Sequence, residues 1–190
     1  MNAETEVEND SIFYPPGGIL IWIIVFVEVI TFCMGIGSLL YDKTQDLSGF
    51  VSMQSHLHRG FAFWNTIFLL TSGFLLATGV HAKENKNETI FSLSMMGSIL
   101  FGFCFLILKF AEFYDKWTLG FNLDSNLFFS YYWLLTGFHY LHVVVGMIIL
   151  FIVLLNRKTI SLVNLEAGGI FWHMCDLIWL LLYPALYLIQ

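Results

Sequence analysis

The stretch ILIWIIVFVEVITFCMGIGSLLY, residues 19–41, decides the fold, because it holds one carboxylate, Glu28, and no basic side chain. A helix rising 1.5 Å per residue needs about 20 mainly apolar residues to cross roughly 30 Å of hydrocarbon, and this run is long enough. Four more runs of the same kind follow, at about Gly60 to His81, Phe91 to Phe113, Leu127 to Leu155 and Gly168 to Ile189. The Leu127 to Leu155 run is long enough to tilt or to project beyond the core. Asp42 to Arg59, Ala82 to Ile90, Tyr114 to Asn126 and Asn156 to Ala167 separate them, each too short to fold as a domain. The chain is 58% apolar and 12% charged with a mean hydropathy of +0.76, far from a soluble domain. An unpaired backbone amide is costly in lipid, and no stretch shows the alternation of barrel strands. The expectation is an all-α, polytopic membrane protein: a bundle of five transmembrane helices over residues 19–190, behind an acidic tail of residues 1–18.

Glu4, Glu6, Glu8 and Asp10 supply four of the acids behind the net charge of −6, which marks the tail as solvated and disordered rather than as a docking surface. The tail has no basic n-region and so does not read as a cleavable signal peptide. Pro15, Pro16, Gly17 and Gly18 break the chain ahead of the first span. Lys83, Lys86, Arg157 and Lys158 fall on the N-terminal side, and Lys43, Arg59 and Lys116 on the other, a bias toward a cytoplasmic N-terminus. Phosphate loops, the His-Glu-x-x-His zinc motif and basic aromatic-interleaved stripes are all missing, which sets those enzyme classes and nucleic-acid partners aside.

The remaining chemistry lies in ionisable residues inside the spans. Glu28 stands near mid-bilayer, where insertion scales charge a central acid about 2.5 to 3.5 kcal/mol, so it needs a bundle-facing site, a proton or a partner. His139 and His142 are spaced i, i+3 on one face of the fourth span, and His173 and Asp176 repeat that geometry on the fifth. Lys109 and Glu112 form a third such pair near the end of the third span, where snorkelling to the interface is easy. His139, His142, His173 and Asp176 together resemble a metal or haem ligand set presented by two helices. The same residues serve equally as hydrogen-bonded struts between helices, or as proton carriers. Ser94, Ser98 and Gly102 on the third span, with Gly73 and Ala77 on the second, have the spacing for close helix approach. Trp64, Trp133, Trp172 and Trp179 read as lipid-facing or interfacial anchors. Cys33, Cys104 and Cys175 form no Cys-x-x-Cys pair and read as buried small hydrophobes.

The run Thr136, Gly137, Phe138, His139, Tyr140, Leu141, His142, Val143 resembles the Thr-Gly-x-His-x-x-His-Val signature of subunit III of haem-copper oxidases. Glu166, followed by Trp172, His173, Asp176 and Trp179, is similar to that family's Glu and Trp-His-x-x-Asp-x-x-Trp in its last helix. Glu112 with Phe113 stands where the family has Glu-Tyr, and Glu28 where it carries a membrane-embedded acid. Two departures stand out: the full-length family has seven helices, of which the first two have no counterpart here, and Lys109 replaces a common glutamine. Five-helix members occur, and the Asn65 to Gly73 run and the Phe128 to Tyr132 lead resemble a nitric-oxide-reductase-associated branch. The resemblance implies a non-redox accessory subunit with no cofactor of its own. It implies bound phospholipid, support for proton uptake, and a catalytic subunit I, of an oxidase or a nitric oxide reductase, that holds haem and copper. It places the protein in a bacterial cytoplasmic membrane. Glu28, Lys109, Glu112, His139, His142, Glu166, His173 and Asp176 are then a structural or proton-linked polar network, with no catalytic or metal-binding residue.

Overall fold

The computed structural model describes residues 15–189; the acids of the tail lie outside the described residues, so its expected disorder is not addressed by them. Six α-helices follow in order: α1 (Ile19–Gln45), α2 (Leu47–Gln54), α3 (Arg59–Glu84), α4 (Glu88–Thr118), α5 (Leu127–Leu155) and α6 (Leu162–Tyr183). A π-helical turn, Pro184–Leu188, continues α6. Five helices are long and apolar enough to cross a membrane, and no strand occurs among the described residues.

The helices overrun the apolar runs because capping groups, not hydropathy, end them. Asn87, Asn126 and Ser161 accept backbone N–H bonds from Ile90, Phe129 and Asn164 and so start α4, α5 and α6, the last of them six residues before Gly168. At the end of α4, Gly120 N–H reaches Trp117 O and Phe121 N–H reaches Lys116 O, a Schellman stop with Gly120 at φ +80°. The α3–α4 turn repeats it with Lys86 at φ 57°. The unforeseen helix α2 lies within the stretch read as a connector. Asp46 caps it through Oδ1 on Gly49 N–H at 3.0 Å.

Consecutive spans alternate in direction, so α1, α4 and α6 begin, and α3 and α5 end, at what we call the N-terminal end of the bundle. Helix α6 is central, with 56% of its span buried, and α1 is peripheral, with 6%. Of the small residues read for close approach, Ser98 meets α3 by accepting from Ser72 Oγ at 2.7 Å and Ser94 packs on Gly79, whereas Gly73 rests against Asp176 of α6 and Ala77 is exposed. Gly102 has a second use. A methyl group there, or at Gly146 of α5, would lie 2.8 Å from the indole of Trp172, which seats in a notch between two helices.

Trp172 and Trp179 are therefore 0% and 1% exposed, core residues rather than anchors; Trp64, at 53%, does face outward. The anchor expectation fails because an indole's destination depends on glycines supplied by other helices. Of the cysteines, Cys175 is buried, Cys104 is partly covered and Cys33 is exposed.

Candidate functional site

Helix α4 turns Lys109 and Glu112 inward. Their side chains are 1% and 0% exposed, which corrects the expectation of snorkelling. α4 runs on from Lys109 to Thr118, which sets the pair roughly 9 to 13 Å from the helix end at 1.5 Å per residue, with its face toward α5 and the π-helical turn. Lys109 Nζ donates to Glu112 Oε2 at 2.9 Å, to Tyr187 Oη at 2.8 Å and to Tyr132 Oη at 3.4 Å, which engages all three ammonium protons. Tyr187 Oη donates in turn to Glu112 Oε1 at 2.8 Å. The ammonium also lies 4.8 to 5.5 Å from the ring centres of Tyr132, Phe113, Trp179 and Tyr187. The cluster is closed and satisfied, the condition under which a buried ion pair is tolerated.

The two histidines of α5 part company. His139 is 1% exposed with neither ring nitrogen hydrogen-bonded. Its ring stacks on Trp179 at 5.5 Å and meets Phe105 edge-on at 5.8 Å. His142 points toward α1, where Nε2 stands 3.2 Å from Glu28 Oε2 without the alignment of a hydrogen bond. Its Nδ1 donates to Phe138 O at 2.8 Å. A carbonyl only accepts, so Nδ1 carries a proton and Nε2 is the nitrogen that faces Glu28. Sixty degrees of rotation around a helix is enough, at a junction of three helices, to send neighbours on one face to different partners.

On α6, His173 Nδ1 meets Asp176 Oδ2 at 3.1 Å. A methyl at Gly73 would collide with that oxygen, so Asp176 rests against the backbone of α3. Asp176 is buried, whereas the His173 side chain is 47% exposed. Glu166 acts at the N-terminal turn instead, where its Oε2 accepts from Gly17 N–H at 3.1 Å. Gly17 has φ +70°, and a Cβ there would stand 2.9 Å from the Ala167 backbone, so glycine alone lets that turn seat on α6.

The eight residues expected to form one network thus divide into three pairs, a lone imidazole and a turn anchor. His139, His142, His173 and Asp176 do not converge, and among the described residues no group of three or more His, Cys, Asp or Glu is placed to hold a metal ion. Tyr132 and Tyr187 were missed as site residues. The available signal was Pro184 in the last span, a helix-altering residue that re-aims the following turn. Also missed was a clasp on that same C-terminal turn, where Gln54 Nε2 donates to Leu186 O and Ile189 O at 2.9 Å, and Lys43 Nζ donates to Gln54 Oε1 and Ile189 O.

Residues 51–190 match the family described as Cytochrome c oxidase subunit III. Among curated relatives, cytochrome c oxidase subunit 3 of Rattus norvegicus is 30% identical over 128 residues, covering 65% of this chain and 48% of its own length. The same subunit of Osphranter robustus is 32% identical over 130 residues, with the same coverage. That of Spodoptera frugiperda is 30% identical over 128 residues, 65% of this chain and 85% of the relative. The chain spans about half the length of the first two of these relatives. With the family matched across all of α3 to α6, this chain belongs to the cytochrome c oxidase subunit III family.

Proposed function

We propose that this protein is a non-redox accessory subunit of a respiratory haem-copper oxidase in a bacterial cytoplasmic membrane, its N-terminus on the cytoplasmic side. Its partner is the catalytic subunit I, which holds the haem and copper. The chain braces that subunit, holds phospholipid against its apolar faces and supports proton uptake. One observation carries this reading: Lys109, Glu112, Glu28, His142, His173 and Asp176 are turned onto one another. The Lys109 cluster ties α4 to α5 and to the π-helical turn and Glu28–His142 brings α1 against α5, contacts of the kind that fix helix register, while His142 and His173 each face a carboxylate. The nitric-oxide-reductase-associated branch is the alternative parent complex, suggested by the Asn65 to Gly73 and Phe128 to Tyr132 runs.

Purification of the tagged chain from its native membrane in mild detergent tests the proposal. The expected result is a large haem-bearing polytopic subunit in fixed ratio, with the colour lost when the two separate. Recovery of this chain alone, with a Soret band or stoichiometric iron or copper, would end it. Oxygen and nitric oxide consumption by the same preparation decides the parent reaction.

A further inference from the structure

A notch of about 370 Å³ opens at the N-terminal end of the bundle between α3, α6 and the turn before α1; Pro16, Val80, His81, Glu84, Glu166 and His173 line it. Its rim is polar and its flanks are apolar. His81 and Glu84 pair at 3.4 Å with side chains 79% and 44% exposed. Its floor is polar again. His173 is the fifth residue beyond Gly168, where the apolar run of α6 begins, roughly 8 Å inside the span at 1.5 Å per residue. Behind His173 stands Asp176, with Oδ2 on the imidazole and Oδ1 buried without a protein partner. Imidazole in contact with hydrocarbon is costly, and a recess running from the interface to that imidazole is the arrangement that lets water reach it.

We propose that the notch is a one-sided hydrated recess that makes His173–Asp176 the proton-exchanging pair of this subunit, while Lys109–Glu112 stays sealed. A water-borne proton enters at the rim and forms an N–H or O–H bond on the pair; the conjugate base returns to the bulk, and nothing is oxidised or reduced. The titratable groups that line the notch with the pair are His81 and Glu84 from α3 and Glu166 from α6 itself, while Glu28 of α1 is turned to His142. The inference rests on the proposed proton-uptake role for its use, but on the notch alone for its geometry.

Thiol accessibility tests it in the intact complex, in sealed vesicles of either orientation, with Cys33, Cys104 and Cys175 replaced by serine or alanine. Phe74→Cys is the control, since Phe74 adjoins Gly73 at the same depth but is 71% exposed on the lipid side. His173→Cys and Ala77→Cys should react with a charged methanethiosulfonate on the order of tenfold faster than Phe74→Cys, since the hydrated thiolate is the reactive form. They should do so only when the N-terminal end faces the reagent. Equal rates at 173 and 74, or reaction from the opposite side, overturn the proposal. Infrared difference spectra of the complex labelled with carboxyl-¹³C aspartate, taken against an Asp176→Asn complex so that the aspartates of the partner subunit cancel, decide the matter if the cysteine variants fail to accumulate, because Asp176 is the buried aspartate of this chain among the described residues. Its carboxyl band should follow the pH of that one side, and an unresponsive band overturns the proposal. Either failure leaves co-purification with a haem subunit intact, so the two readings fall separately.

Discussion

Lys109 and Glu112 are three residues apart on α4 and almost wholly enclosed, whereas His173 and Asp176, at the same spacing on α6, leave nearly half an imidazole uncovered. The difference lies in what each helix faces. α4 presents its pair to α5 and to the π-helical turn, which bring two phenols to one ammonium, with the rings of Phe113 from α4 itself and Trp179 from α6 beside it. α6 presents its pair to the edge of α3, where Gly73 supplies a flat backbone and no polar side chain. Identical spacing therefore yields a sealed strut in one place and an open pair in the other. Closure depends on the number of hydrogen-bonding neighbours and not on the pair itself.

The comparison can be broken most forcefully at Lys109. Lys109→Met strands a buried carboxylate and should cost about 3 to 5 kcal/mol, seen as loss of folded chain and a lowered melting temperature in mild detergent. Adding Glu112→Leu should recover most of that loss; a single variant as stable as the native chain would show the cluster to be idle. Tyr187→Phe removes two charge-assisted hydrogen bonds and should cost about 1.5 to 3 kcal/mol in the same assay. On the open side, Gly73→Ala drives a methyl into Asp176 and should cost about 1 to 3 kcal/mol, while Gly137→Ala, with open space around it, should be near neutral. His173→Gln should have the smallest effect, about 0.6 kcal/mol, because it alters one half-exposed polar contact within α6, on the scale of a single polar contact in a membrane bundle. A cost matching that of Lys109→Met would erase the distinction between closed and open pairs.

The five spans were legible because lipid imposes one rule on every residue of a span, and the i, i+3 pairs were legible because helical periodicity is fixed. The direction in which a pair points was not. Lys109 looked like an interfacial residue because the apolar run stops at Phe113, yet α4 continues to Thr118 until Gly120 ends it. His139 and His142 read as one site, but α1 draws one away and Trp179 covers the other. Tyr187 lies 78 residues from Lys109, a separation that no local pattern spans. The burial of Trp172 required Gly102 and Gly146, two small residues on two other helices.

The clasp on the C-terminal turn has a consequence for biogenesis. Gln54 reaches Leu186 across 132 residues, and Lys43 reaches Ile189 across 146. Both side chains leave the ribosome with the first hairpin, long before the carbonyls they grip exist. The first interhelical loop must therefore stay unfastened while three later spans are threaded into the bilayer, which makes its closure the last knot tied and a natural point for an insertase or membrane protease to tell finished bundles from stalled ones.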